Sequence, residues 1–308
     1  MTVIVRALRA EDPADAEAFA RIRRAALPFM LATAESVAFD LTHAHPDSHF
    51  QMLVAEVGGE IVGTAQTGLA YDSPEPGQGF ANVYVHPDQQ RRGAGSQILR
   101  AAEERLAALG ATAVYCWVLD APANLAFAEK HGYRSSRSAH FLRLDLAHGT
   151  LPPLPELPEG IELRTGADFA DDPRPLFEVD AETMADEPSD IGVEFTDYEH
   201  WLAETWGHPL FDHELTTVAV RDGRPVAFTM ARGAGTRYGS VMTGTARAHR
   251  GLGLAKLAKA HSLHRARAAG RTEAFTGNDT GNGPMLAINK WFGYEICATE
   301  VRHVRELG

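Results

Sequence analysis

VHPDQQRRGAG at Val85–Gly95 is echoed about 160 residues further on by AHRGLGLA at Ala248–Ala255. The echo sets Gln90 against Arg250, Gly93 against Gly253 and Gly95 against Ala255. At the same offset Ala108, Gly110 and Thr112 meet Ala268, Gly270 and Thr272, and with one residue inserted Gly132-Tyr133 meets Gly293-Tyr294. The two beginnings agree as well: IVRALRAEDPADAEAFARI from Ile4 resembles IELRTGADFADDPRPLFEV from Ile161. Few residues are identical, but the order of segments is kept throughout, so any fold assigned to one half must be buildable twice. With 308 residues the chain has room for two domains of ordinary size. Between the halves lies HGTLPPLPELPEG (His148–Gly160), whose prolines exclude regular helix and central strand. It reads as an extended, semi-stiff linker. The expected division is therefore 1–148, a linker at 149–159, and 160–308.

Each half runs through the same patterns. A short strand (Val3–Arg9; Ile161–Arg164) leads into a helical region. A hairpin follows, LVAEV-GG-EIVGTAQTGL in one half and TTVAV-RDG-RPVAFTMARG in the other, with Gly58-Gly59 and Asp222-Gly223 as turn signals. The alternating GFANVYV (Gly79–Val85) reads as a fourth strand. SQILRAAEERLAALG carries apolar residues at Ile98, Leu99, Ala102, Leu106 and Leu109, which is helical spacing. Another strand (Ala113–Val118; Glu273–Thr276), a short helix ended by a glycine (Gly132; Gly293) and a final strand complete the half. This predicts an α/β (α+β) fold made twice, each copy a mixed sheet with helices on both faces.

Gly93 and Gly95 lie where the fourth strand turns into the long helix. Glycine costs about 1 kcal/mol in a helix relative to alanine, and its use is to let backbone approach a ligand closely. The exposed N–H groups of such a turn, with the helix dipole behind them, form an anion site, and a phosphate is the expected anion. The formal net charge of −12 argues against nucleic acid as a partner and is compatible with cationic substrates. No stretch approaches the ~18 apolar residues of a membrane span. The N-terminal MTVIVRALRAEDPADAEAF lacks a signal-peptide pattern. Cys116 and Cys297 lie far apart without metal spacing and read as two buried free thiols of a cytoplasmic protein, with no metal expected.

Strand, then [Gln/Arg]-x-x-Gly-x-[Gly/Ala], then helix resembles the acetyl-CoA-binding motif of the GNAT N-acetyltransferase superfamily. Gln90-Arg91-Arg92-Gly93-Ala94-Gly95 fits it, and so does Arg250-Gly251-Leu252-Gly253-Leu254-Ala255. The superfamily's second signature, an Asn, a short helix and Gly-[Phe/Tyr], is matched by NLAFAEKHGY (Asn124–Tyr133) and, in a form common in tandem bacterial members, by NGPMLAINKWFGY (Asn282–Tyr294). The resemblance covers nearly the whole chain as two tandem GNAT-like domains. It implies a mostly antiparallel twisted sheet with a splayed parallel strand pair in each, and acetyl-CoA as cofactor. The turn amides at Arg91–Ser96 and Gly251–Lys256 would surround the pyrophosphate, aided by the charges of Arg91, Arg92, Arg250 and Lys256. The resemblance further implies that pantetheine lies between the splayed strands, against Val83, Tyr84 and Val85 in one half and Thr243–Thr245 in the other. Asn124, Asn278 and Asn282 are expected to contact it or to cap the short helices.

Transfer of acetyl to an amine needs the ammonium, of pKa roughly 10, to lose a proton. It also needs a donor for the oxyanion and help for the leaving thiolate. The usual Glu of the fourth strand is replaced by Asn82 and by Met242, and the usual Tyr of the short helix by Ala128 and by Asn289. Asn289 keeps a donor, and DAETMADEPSD (Asp180–Asp190) offers Glu182 and Asp186 as acids near the acceptor side. Catalysis is therefore expected in the second half through Asn289, Glu182 and Asp186, with the first half degenerate. His43, His45 and His49 of LTHAHPDSHF read as surface or helix-end residues, with a base or metal ligand as the other roles open to them. Trp201, Trp206 and Phe211 have the spacing of a helix packed on core. The expected protein is a monomeric acetyl-CoA-dependent N-acetyltransferase acting on a primary amine of a small molecule. A non-catalytic acetyl-CoA sensor or scaffold, and a protein N-terminal or lysine acetyltransferase, remain alternatives.

Overall fold

The computed structural model describes residues 2–192 and 196–307. The first succession of elements is β1 (Val3–Ala7), α1 (Pro13–Ala26), α2 (Ala34–His43), β2 (Gln51–Val57), β3 (Glu60–Leu69), β4 (Gln78–Val85), α3 (Ala94–Ala108), β5 (Ala113–Leu119), α4 (Pro122–Lys130) and β6 (Arg134–Asp145). The second is β7 (Ile161–Thr165), α5 (Arg174–Met184), α6 (Tyr198–Trp201), β8 (Thr217–Arg221), β9 (Arg224–Ala234), β10 (Arg237–Thr245), α7 (Leu254–Ala268), β11 (Glu273–Asp279), α8 (Gly283–Phe292) and β12 (Glu295–Glu306). The fold is mixed α/β, with antiparallel and parallel strand pairs flanked by helices. The hairpin turns at Gly58-Gly59 (φ 62° and 83°) and Asp222-Gly223 (φ 51° and 77°) have both central residues left-handed. That is the two-residue turn whose twist matches the strands it joins.

The chain divides into two compact units that do not follow its order. One unit is Met1–Ala139, Ser189–Glu194 and Ala298–Gly308; the other is His140–Pro188 and Phe195–Cys297. The first unit's sheet runs β1-β2-β3-β4-β5-β12 and the second's runs β6-β11-β10-β9-β8-β7. The units are thus not the two contiguous stretches 1–148 and 160–308: most of β12 closes the first sheet, antiparallel to β5 with Glu300 opposite Leu119 and Glu306 opposite Ala113. A reading of local pattern sees a final strand in each half but not which sheet edge it joins, because edge pairing is a long-range choice.

In the first unit Ile98, Leu99, Ala102 and Leu106 of α3 are buried against Ala65, Ala81 and Val114 of the sheet. In the second, α7 is buried over more of its circumference, from Leu254 and Leu257 to Leu263 and Ala266. The linker carries neither helix nor strand from Leu151 to Pro158. It is nonetheless pinned to α7: His264 Nε2 donates to the Pro152 carbonyl at 2.8 Å and Arg267 Nη2 to that of Gly149. Cys116 is buried as expected, whereas Cys297 is exposed, in the stretch Glu295–Cys297 of β12 that is exposed throughout. Trp201, Trp206 and Phe211 pack together with Phe177 and Phe228 in the second unit's core.

Candidate active site

In the first unit β4 and β5 pair in parallel only at Gln78–Phe80 against Ala113–Tyr115 and then part. Asn82 Oδ1 accepts from the Trp117 amide at 2.9 Å where they separate, so this residue, at the position of the usual carboxylate, holds the closed end of the gap. A cavity of about 250 Å³ lies beyond it. Val83 and Val85 of β4, Val118 of β5 and Phe127 and Ala128 of α4 give it an apolar lining. Tyr84, Gln90 and Asn124, three residues expected at the cofactor, line it as well. An apolar gap with free strand edges suits a flexible arm carrying amide groups, which can bond to the unpaired edges while its methylenes meet the lining.

The cavity reaches the glycine turn through Gln90. Gly93 begins α3 at φ 89°, with no side-chain cap. The first helical bond runs from Gln97 N to Gly93 O, which leaves the amides of Ala94, Gly95 and Ser96 facing out of the helix end. Arg91 is itself left-handed (φ 63°), where the second copy has Gly251 (φ 80°). Arg91 and Arg92 are exposed, and Arg92 Nη1 also donates to Gln89 at 2.8 Å. A Cβ at Gly95 would meet nothing nearer than 3.5 Å, which is why Ala255 serves at the same place in the other copy. The second turn repeats the geometry: Gly253 stands at φ 74°, α7 has no side-chain cap, and Leu254, Ala255 and Lys256 supply its first amides. A diphosphate fits both turns on these grounds.

The second unit differs in what stands behind its turn. β10 and β11 also pair only at Arg237–Ser240 against Glu273–Thr276. At the positions of Leu99 and Ala128, however, stand Lys259 and Asn289, both fully buried. Lys259 Nζ donates to Asn289 Oδ1 at 2.6 Å, and Asn289 Nδ2 donates to Asn278 Oδ1. Burial pushes the Lys259 pKa down to about 7. Where the first unit has Tyr84 the second has Gly244, and a Cβ there would meet Thr183 of α5 at under 3 Å, so α5 lies directly on the strand.

The residues expected to do chemistry in the second half are engaged elsewhere. Asn289 is committed to Lys259 and Asn278 and reaches no solvent. Glu182 accepts from the Arg247 amide, and Asp186 accepts from Arg247 (2.7 and 2.8 Å) and Arg250 (2.5 Å). These arginines, Arg247 first, hold the Asp186 carboxyl well below the usual carboxylate range, so it is a poor proton acceptor. In this arrangement both carboxylates brace the turn before α7. Arg250 is shared with Asp186, and Lys256 Nζ sits 3.3 Å from the centre of the Trp291 ring. Asn282 caps α8 by accepting from the Met285 amide at 3.3 Å. The Thr243 hydroxyl pairs with that of Thr229 at 3.2 Å, and the Thr245 carbonyl accepts from Arg250 at 3.2 Å. His43 stacks on Phe39 and His45 on Tyr71, at 3.9 and 4.0 Å between ring centres, and His49 ends a short turn.

One polar residue beside the first cavity escapes a reading by motif. Glu300 of β12 is 5 % exposed, and its Oε1 has no hydrogen-bond partner among the described residues. The Tyr84 hydroxyl acts on its carboxylate, favouring the charged form. Burial raises the Glu300 pKa to about 7 against the opposing charge of Arg23. Nothing near residue 300 in the sequence marks it; only the return of β12 to the first sheet does.

A splayed parallel pair, a glycine turn feeding a helix N-terminus and a second copy of both define an acyl-CoA-dependent N-acetyltransferase fold. The model of the acetyltransferase (GNAT) family matches residues 17–133. A mycothiol acetyltransferase of Thermomonospora curvata is 30% identical over 239 residues, 77% of this chain and 77% of the relative. The chain belongs to the GNAT acetyltransferase family and is an acyltransferase. Among solved structures, a GCN5-related N-acetyltransferase from Sphaerobacter thermophilus superposes with a TM-score of 0.73 at 24% identity, over 99% of this chain and 95% of that one. A tandem GNAT protein from the clavulanic acid biosynthesis pathway superposes with 0.74 at 21% identity, over 100% and 99%. Both likenesses are of fold. Among the described residues no helix is long and apolar enough to cross a membrane.

Proposed function

We propose that the chain transfers an acetyl group from acetyl-CoA to a primary amine of a small molecule, and that the first unit, not the second, takes the cofactor's thioester arm. The observation that carries this is the cavity between β4 and β5, open through Gln90 to the turn at Gly93. The diphosphate is held by the amides of Ala94, Gly95 and Ser96 with Arg91 and Arg92 nearby, and the arm passes Val83, Val85 and Asn124. The bound cofactor supplies an activated acyl carbon. The protein's part is to orient that carbon, exclude water with the apolar lining, and receive the amine's proton. The second unit is a support whose slot is closed by Lys259 and Asn289. The relatives carry the name mycothiol acetyltransferase, and we extend to this chain an acceptor of that kind.

Calorimetric titration with acetyl-CoA, for the wild type beside Gly93→Glu and Gly253→Glu, tests the assignment. One site, lost only in Gly93→Glu, is the expected result. A site lost only in Gly253→Glu overturns the choice of unit, and no binding overturns the function. The acceptor is sought among deacetylated mycothiol, amino sugars and polyamines, with product read by mass spectrometry as the gain of one acetyl group.

A further inference from the structure

We propose that Glu300, delivered by the last strand of the chain, is the carboxylate that receives the acceptor amine at the cavity of the first unit. The inference rests on the reading of that cavity as the acetyl-CoA slot. A buried acceptor atom without a partner is costly, and a native fold rarely keeps one without use. Glu300 Oε1 is such an atom. Its surroundings point at the cavity: Tyr84, whose hydroxyl acts on this carboxylate, lines the cavity, and so does Leu119, the residue opposite Glu300 on β5. An acceptor ammonium entering beside Tyr84 and Leu119 would be drawn toward the unpaired carboxylate oxygen behind them, with the gap of the thioester on its other side. Neither Asn82 nor Ala128, at the family's usual positions, has an ionisable group, so Glu300 supplies the charge they lack.

The groups that act on Glu300 are few. Arg23 of α1 contributes positive charge and stands 5.5 Å from the centre of the Tyr84 ring. Tyr84 of β4 favours the charged carboxylate through its hydroxyl. Cys116 of β5 is kept neutral, its thiol pushed up to about 12 by burial. Arg302, next on the same face of β12, lies over Tyr115 and Trp117 and pairs with Asp190 at 3.2 Å.

In the step, the ammonium gives one proton to the Glu300 carboxylate. The neutral nitrogen's lone pair forms the C–N bond to the thioester carbon. The C–S bond breaks with its electron pair on sulfur, and the nitrogen's second proton passes to that sulfur, giving amide and free thiol. Glu300 then returns its proton to solvent. The native pKa of about 7 gives a carboxylate ready for this at and above neutral pH.

The test uses the full chain, acetyl-CoA and the best acceptor among deacetylated mycothiol and the amine panel. Wild-type kcat/KM should rise with pH through a midpoint near 7. In Glu300→Gln that limb should vanish and transfer fall by about 100-fold or more, while calorimetry still finds acetyl-CoA within about threefold of the wild-type Kd. Glu300→Asp should keep the limb at reduced rate. Transfer by Glu300→Gln within about tenfold of wild type, or an unmoved limb, overturns Glu300 and leaves the function standing. Loss of acetyl-CoA binding in both variants makes the residue structural and overturns it too. Failure of the wild type to bind acetyl-CoA overturns the function itself.

Discussion

Lys259 Nζ donates to Asn289 Oδ1 at 2.6 Å in the interior of the second unit, at the two positions that Leu99 and Ala128 hold beside the first unit's cavity. The same backbone plan therefore carries an apolar gap in one copy and a closed polar pair in the other. The pair is buried and polar, and it makes its own demands on stability.

Asn289→Ala strips Lys259 and Asn278 of a buried partner together. The expected loss is about 1–3 kcal/mol, read as a lower thermal midpoint. Lys259→Met combined with Asn289→Leu removes both polar ends and should recover most of that loss. Neither variant should alter acetyl transfer beyond its effect on folding. A large drop in kcat with an unchanged midpoint would return Asn289 to the chemistry.

Lys259 also sets a pH dependence. Its native pKa is pushed down to about 7 by burial, from the ordinary 10.5. Between those values the unfolded chain holds a proton that the native state has lost, so stability rises with pH across that window. Below about 7 the burial cost is fully present. Lys259→Met should flatten the difference in thermal midpoint between pH 7 and pH 10 relative to the wild type. A parallel pair of curves would mean the amine is not perturbed.

Gly93 and Gly95 separate backbone need from steric need. Gly93 stands at φ 89° with nothing within 4 Å of a Cβ, so Gly93→Ala costs conformational strain alone, about 1–2 kcal/mol. It should weaken acetyl-CoA binding by disturbing the amides that follow. Gly95→Ala should be neutral in thermal midpoint and Kd, as Ala255 in the other copy implies. Equal effects from both would mean that the turn conformation does not matter to the ligand.

What could be read in the chain was whatever repeats locally. The glycine turns, hairpins and helix ends follow from residues adjacent in sequence, and doubling made each pattern visible against the other. Two things were hidden for physical reasons. Asn289 looks like a free donor until Asn278 is seen to take its Nδ2 and Lys259, a full helix away, its Oδ1; a lysine in an amphipathic stretch reads as solvent-facing. Glu300 sits among alternating residues of a final strand, and only long-range pairing of β12 with β5 brings it to Tyr84.

Ala128 gives a test in which two readouts move in opposite directions. It lines the cavity on α4 and is 3 % exposed. Leucine is well tolerated in a helix, and its extra carbons would extend into space that now holds no protein atoms. Filling a cavity commonly adds about 0.5–2 kcal/mol, so Ala128→Leu should raise the thermal midpoint. If that space is where the thioester arm lies, the same substitution should weaken acetyl-CoA binding by about tenfold or more, a loss of roughly 1.4 kcal/mol. A stabilised protein with unchanged Kd would mean the arm runs elsewhere and the cavity is only a packing defect. A destabilised protein would mean that Ala128 is already at close contact and that the gap ends before it.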